Sequence, residues 1–171
     1  GRVDDDARYR PGYPPELVRA IADATGLTPA WVVADIGSGT GLSTRPFLDH
    51  GNTVLAIEPN RAMREAAEAA LGDRPGFRSV AGTAEATGLA EASVDLVVAA
   101  QAFHWFRVEE TRAELARILR PPGWAALIWN TRRTDSTPFL RGYEALLARW
   151  GTDYERVRHD RIDPEAIARF F

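Results

Sequence analysis

The sequence predicts a doubly wound α/β fold, a mostly parallel sheet with helices on both faces. Three observations predict it. Apolar runs alternate with amphipathic helical patterns roughly every 20–30 residues. Those runs are continuous rather than alternating, as in strands buried on both faces. Polar residues, glycines and acids gather where the runs end, which is where an open parallel sheet places its binding crevice.

The elements follow in order. GRVDDDARYRPGYPP is polar and broken by proline, a lead-in segment. ELVRAIADATGL (16–27) reads as a helix with Leu17, Ile21 and Ala24 on one face. Pro14 and Pro15 suit its start and Gly26 its end. WVVADIG (31–37) is a short strand, and SGTGLSTRPFLDHG (38–51) a glycine-rich turn leading into a helix. NTVLAIEPN (52–60) is a second strand ending in an acid, and RAMREAAEAALG (61–72) an alanine-rich helix. A short strand and a loop occupy 76–89. SVDLVVAAQAFHWF (93–106) is a strand running into an aromatic loop. A helix over 109–123 stops at Pro121, Pro122 and Gly123, and WAALIWN (124–130) is a further strand. Beyond 131 the chain is charged and mixed, with helices over 139–150 and 164–171.

Composition narrows the function classes. With 171 residues the chain suits one domain with a real core. It is 45% hydrophobic and 26% charged, an ordinary globular balance. The net charge of -3 gives no general attraction for a phosphate backbone, so a nucleic-acid partner is not expected. Every basic residue other than histidine is arginine, which reads as compositional bias. There is no cysteine, so disulfides, thiolate metal sites and a cysteine nucleophile are excluded. His50, His104 and His159 lack ligand-type spacing, and no metal is expected. No apolar run is long enough for a membrane span and no signal-peptide pattern opens the chain. The expected location is the cytoplasm.

VVADIGSGTG (32–41) is the sharpest signal. Gly37, Gly39 and Gly41 allow a tight turn and close approach to a ligand. Asp35 can fix this loop or accept a hydrogen bond from a cationic amine. The spacing is G-x-G-x-G, whereas a dinucleotide fingerprint would need its third glycine at 42, which is Leu42. Glu58, at the end of the second strand, is placed to accept both hydroxyls of a ribose, with Pro59 restricting the exit path. Met63 either lies under a nucleoside base or belongs to the core.

The loop at Gly82-Thr83-Ala84-Glu85 reaches toward an adenine edge. Ala84 N–H can donate to a ring nitrogen and Glu85 can accept from the exocyclic amine. Glu85 also suits a helix N-terminus. After the fourth strand, Gln101 and His104 are polar within an aromatic run. Phe103, Trp105 and Phe106 either wall a reaction centre or pack the next helix. His104 is the candidate catalytic residue, orienting a substrate or acting as a base, although a lone histidine is more often structural.

As a set, VVADIGSGTG, Glu58 in VLAIEPN, GTAEATGL (82–89), DLVVAAQAFHWF (95–106) and LARILRPPGWAALIWN (115–130) resemble the class I S-adenosylmethionine-dependent methyltransferases. The resemblance spans roughly residues 8–130. It is nearest the small-molecule branch with trans-aconitate-type and ubiquinone/menaquinone-biosynthesis-type enzymes. It implies that Asp35, Gly37, Ser38, Gly39 and Gly41 surround the methionine part of the cofactor. Glu58 would hold the ribose, Ala84 and Glu85 would frame adenine, and Gln101 and Ala102 would flank the sulfonium methyl. ARYRPGYP (7–14) matches a family pattern, so Tyr9, Arg10 and Tyr13 would close over the cofactor carboxylate or the substrate.

The implied organisation is a single Rossmann-like domain over 1–171. A cofactor-covering segment and first helix occupy 1–30, a cofactor-binding core 31–130, and a helical cap or the start of a C-terminal region 131–171. The family sheet ends in two further strands. Residues 131–171 show no final hairpin, so those strands are expected to be missing or displaced. The expected family turn LKPGG stands here as LRPPG (119–123). The implied reaction is in-line transfer of a methyl group to a small-molecule acceptor. The alternatives are an NAD-dependent oxidoreductase and a non-catalytic S-adenosylmethionine-binding domain. The acceptor and the oligomeric state have no signature in the sequence.

Overall fold

The computed structural model describes residues 12–131, 133–152, 154 and 164–171. In chain order these form α1 (Glu16–Thr25), β1 (Val32–Ile36), α2 (Thr44–His50), β2 (Thr53–Ile57), α3 (Arg61–Leu71) and β3 (Phe77–Val80). Then follow β4 (Val94–Ala100), a 3-10 turn (Phe103–Trp105), α4 (Val108–Ile118), β5 (Leu119–Ile128), α5 (Pro138–Trp150) and α6 (Pro164–Phe170).

The strands make one parallel sheet in the order β3-β2-β1-β4-β5. The order reverses beside β1, so the ends of β1 and β4 diverge there and open a crevice. Successive side chains of a strand point to opposite faces. Val33, Val54, Leu96 and Val98 therefore meet Val18 and Ile21 of α1, Phe47 and Leu48 of α2, and Ala67 and Leu71 of α3. On the other face Ala34, Ile36, Ile57, Val97 and Ala99 meet Leu115 and Ile118 of α4 and Ala166 and Phe170 of α6. Each such large side chain contributes roughly 1.5–3 kcal/mol by leaving water.

Local chemistry sets the ends of the elements. Gly26 closes α1 with φ 80°. The Asn60 side chain opens α3 by accepting from the N–H groups of Ala62 and Met63. Thr137 Oγ1 accepts from Leu140 N–H at the start of α5. The 82–89 loop is tied to α4 because Glu114 Oε1 accepts from both the N–H and the hydroxyl of Thr87.

One boundary differs from the sequence reading. The helix expected over 109–123 ends at Ile118, and the chain enters β5 at Leu119. The register runs from Val94 against Leu119 to Leu96 against Trp124, so Arg120-Pro121-Pro122-Gly123 bulges out of the ladder. Prolines cannot donate to a helix ladder, and pairing to β4 takes over before they are reached. Gly123 is required here, since a Cβ would lie 2.8 Å from Arg120 O.

The opposite end of the sheet carries a structural latch. Asp95 Oδ2 accepts from Val32 N–H at 2.8 Å and from Arg120 Nη1 at 2.9 Å. Asp95→Ala is expected to destabilise the fold by about 1–3 kcal/mol, since it orphans the N–H that starts β1. Arg120 is substantially exposed, so its ion pair contributes the smaller part. Urea unfolding of the variant against the parent chain checks this.

Among the described residues, 131–171 contain two helices and no strand. No helix is long and apolar enough to cross a membrane, among the same residues.

Candidate functional site

The site is built at the carboxyl ends of β1, β2 and β4. The loop after β1 is fastened to the end of β2. Gly37 N–H and Ser38 N–H both donate to Ile57 O, at 2.8 and 3.1 Å. Gly39 N–H donates to Glu58 Oε2 at 3.0 Å, and Gly41 N–H to Ser38 O at 2.9 Å. Four amides of the glycine loop are thus satisfied within the protein. A phosphate cradle works the other way, with its amides aimed at the anion.

The three glycines do different work. A Cβ at Gly37 would lie 2.7 Å from Ala102 Cβ, so this position brings the β1 and β4 loops together. Gly39, at φ 56°, borders open space with no atom within 4 Å of an added Cβ. Gly41, at φ 85°, faces the core, and a Cβ would lie 2.5 Å from Leu71 Cδ1 on α3. Gly41 is therefore a packing position, whereas Gly39 borders space a ligand can enter. Gly39→Ala is expected to cost only about 1–2 kcal/mol, the price of a left-handed backbone. Gly41→Ala adds overpacking to that strain and is expected to cost about 1–3 kcal/mol more. Thermal unfolding of the two variants side by side reads the difference.

Asp35, one residue before the end of β1, is fully buried. Its Oδ2 accepts from the hydroxyls of Ser43 at 2.7 Å and Thr44 at 2.6 Å, which fixes the entry to α2. Its Oδ1 is buried without a hydrogen-bond partner among the described residues. Burial pushes the carboxyl up to about 6, the two hydroxyls oppose this, and the charge of Glu58 adds to it. Glu58 is largely buried at the end of β2. Its Oε1 accepts from Asn60 N–H at 2.8 Å while Oε2 holds Gly39. Each oxygen keeps a second lone pair for a further donor. Arg64 Nη1 donates to the carbonyls of Glu58 and Pro59, bracing the exit from β2. Met63 is half-buried in the first turn of α3.

Thr83 and Ala86 exchange backbone hydrogen bonds in a tight turn that buries Ala84. Glu85 reaches from this turn to α4, where its Oε1 accepts from Arg107 N–H at 3.0 Å. Burial raises the Glu85 carboxyl, but its donors, led by that N–H, outweigh burial and hold it below its ordinary value. Glu85 Oε1 thus also serves the start of α4.

At the end of β4, Gln101 takes φ 57°, unusual for a residue with a side chain. Its N–H donates to Ile128 O and its Nε2 to Asn130 O, which bind the ends of β4 and β5 together. The turn throws Phe103 inward, against Phe106, Trp129 and Phe170, all edge to face. His104 and Trp105 point the other way and are exposed, Trp105 at 80%. The aromatic run is therefore divided: Phe103 packs α6 onto the sheet and Trp105 is left at the rim.

The structure brings Asp35, Gly37, Ser38, Gly39, Glu58 and Ala102 together. Pro59, Thr83, Ala84, Glu85, Gln101 and His104 lie on the adjoining strand-end loops, and Met63 in the first turn of α3. Tyr13 lines a groove between α1 and α2. Tyr9, Arg10 and His159 lie outside the described residues. Sequence reasoning passed over Ser43, Thr44, Arg64 and Asn130. The Ser-Thr pair directly after the glycine loop was the available signal, two hydroxyls within reach of a strand-end acid. No group of three or more His, Asp or Glu side chains forms a metal cluster among the described residues.

Comparison with known proteins agrees with this geometry. The profile of a methyltransferase domain family matches residues 34–127. An uncharacterized methyltransferase of Mycobacterium tuberculosis is 41% identical over 125 residues, 73% of this chain and 49% of that protein. The demethylmenaquinone methyltransferase of Renibacterium salmoninarum is 31% identical over 133 residues, 77% of this chain and 54% of that protein. A solved structure from Anaeromyxobacter dehalogenans, provisionally assigned as a type II methyltransferase, superposes with a TM-score of 0.68 at 33% identity. That match covers 82% of this chain and 59% of the other. The chain spans about half the length of the curated relatives it matches. It belongs to the class I S-adenosylmethionine-dependent methyltransferases, on a Rossmann-like fold.

The residues fit the cofactor of that class. S-adenosylmethionine carries an ammonium and a sulfonium but no phosphate. Two buried carboxylates, one with an orphaned oxygen, suit a cation, and a loop with four of its amides already paired leaves few for a phosphate.

Proposed function

We propose that the strand-end site binds S-adenosylmethionine and catalyses methyl transfer to a small-molecule acceptor. The observation that carries this is the glycine loop with four amides paired inside the protein, beside Asp35 and Glu58. It favours a cationic nucleoside over a dinucleotide, which disfavours an NAD-dependent oxidoreductase.

Asp35, Gly37, Ser38 and Gly39 border the methionine part, with Asp35 compensating its positive charge. Gly41 supports them from behind by holding α2 against α3. Glu58 accepts the ribose hydroxyls, and Pro59 and Met63 shape that corner. Thr83, Ala84 and Glu85 frame adenine. Gln101 and Ala102 flank the reacting methyl. The described residues of 131–171 form a helical cap on the 31–130 core or the start of a C-terminal region.

The bound cofactor supplies a methyl group already activated on sulfur. The protein's work is to hold an acceptor in line and keep water away. His104, exposed on the loop after β4, is placed to orient the acceptor or remove its proton. The relative from Renibacterium salmoninarum, a demethylmenaquinone methyltransferase, makes hydroquinones the first acceptor class to try. Exposed Arg133, beyond the end of β5, makes small carboxylates the second.

Incubation with methyl-labelled S-adenosylmethionine and these two panels tests the proposal. Label in an acceptor is expected, with His104→Ala slowing turnover about 100-fold and leaving cofactor affinity unchanged. Cofactor binding without transfer to any acceptor would favour a non-catalytic binding domain instead.

A further inference from the structure

A second concavity lies beside the strand-end site. It runs between α1 and α2 and has a volume of about 590 Å³. Tyr13, Val18, Arg19, Ala22, Leu42 and Arg45 line it, with Val18, Ala22 and Leu42 giving an apolar floor. Arg19 and Arg45 are exposed at its walls.

Several described arginines meet no carboxylate, and these two are the ones that line a groove. Arg61, Arg74, Arg107, Arg117, Arg120 and Arg169 each meet a carboxylate. Arg19 and Arg45 meet none among the described residues. The one acid lining the groove, Asp49, is taken by Arg74. His50 Nδ1, at the same end, is held by Asn52 Oδ1. Among the described residues the groove is therefore an apolar trough carrying two arginines that no carboxylate meets.

We propose that this groove is an accessory site for a small amphipathic carboxylate, its head held by Arg19 and Arg45 and its tail on the apolar floor. Guanidinium groups pair with carboxylates in a planar, two-point geometry. A free inorganic anion would leave the floor uncovered, and a neutral alcohol would leave the charge unmet. The site is also coupled to the strand ends. Leu42 and Arg45 bracket Ser43 and Thr44, whose hydroxyls hold Asp35. The ligand's seat and the cofactor site thus share the first turn of α2.

Calorimetric titration of the chain with octanoate tests this. Saturable binding with a Kd of about 1 mM is expected, weakened about tenfold or more in Arg19→Gln/Arg45→Gln. Both side chains are exposed, so the urea midpoint of the double variant stays at the parent value. Unchanged octanoate affinity in the double variant would overturn the proposal. So would octanol binding as tightly as octanoate, or inorganic phosphate displacing octanoate at equal concentration. Competition by S-adenosylhomocysteine for the same site would overturn it too, by making the groove part of the cofactor site. Octanoate binding that persists when S-adenosylhomocysteine binds nowhere supports the groove and counts against the cofactor reading alone.

Discussion

Asp35→Asn is expected to stabilise the ligand-free chain at pH 8 while weakening S-adenosylmethionine binding at least tenfold. Asp35 is a buried carboxyl whose value is pushed up from 3.8 to about 6, first by desolvation. The folded chain therefore holds this proton more tightly than the unfolded chain. The resulting stability is fully present below the unfolded value and lost as pH rises through about 6. The loss amounts to about 3 kcal/mol at most. Asparagine carries no charge at any pH. Its carbonyl oxygen can accept from Ser43 and Thr44 as Oδ2 does now, and its amide takes the orphaned place of Oδ1. An unpaired amide there costs about 1–2 kcal/mol, so the net gain at pH 8 is about 1–2 kcal/mol. Urea unfolding of both proteins at pH 5 and pH 8 reads the difference directly, since other titrating groups cancel. A variant that is no more stable relative to the parent at pH 8 than at pH 5 would show that Asp35 carries no buried charge. The loss of affinity follows from the same charge, which compensates the cationic part of the cofactor. A residue kept at a cost to stability is what a binding site requires of a buried charge.

Glu58→Ala is expected to lower cofactor affinity about 100-fold or more, which is about 2.7 kcal/mol. Two losses combine. The acceptor for the ribose hydroxyls disappears, and Gly39 N–H and Asn60 N–H lose the carboxylate that fixes the loops after β1 and β2. Glu58→Gln separates these effects. An amide can accept from one of the two N–H groups but turns its own N–H toward the other, so an intermediate loss of about tenfold is expected. Equal losses for both variants would mean that charge, not loop geometry, sets the affinity.

Much of this arrangement was legible because it is local in sequence. The G-x-G-x-G spacing, the acid ending β2 and the continuous apolar strands are short patterns with direct physical meaning. They gave the parallel sheet and the crevice at its carboxyl ends. The rest depends on residues that meet only after folding. Glu58 and Gly39 stand 19 positions apart, and nothing in either segment announces their hydrogen bond. Glu85 could frame a ligand or serve a helix, and its bond to Arg107, 22 positions on, is set by how α4 packs. Gly41 looked like its two neighbours in the motif, yet it meets Leu71 of α3. The entry to β5 was misplaced because prolines mark the end of a helix but carry no information about Leu119 pairing with Val94. The left-handed turn at Gln101 has no marker either, because the sequence shows no glycine there.

The central claim is that the closed glycine loop and its two acids select an adenosyl cofactor. Calorimetric titration of the chain with S-adenosylmethionine, S-adenosylhomocysteine and NAD tests it most directly. Saturable binding of both adenosyl compounds with no heat from NAD is the predicted result. Selective binding of NAD would contradict it.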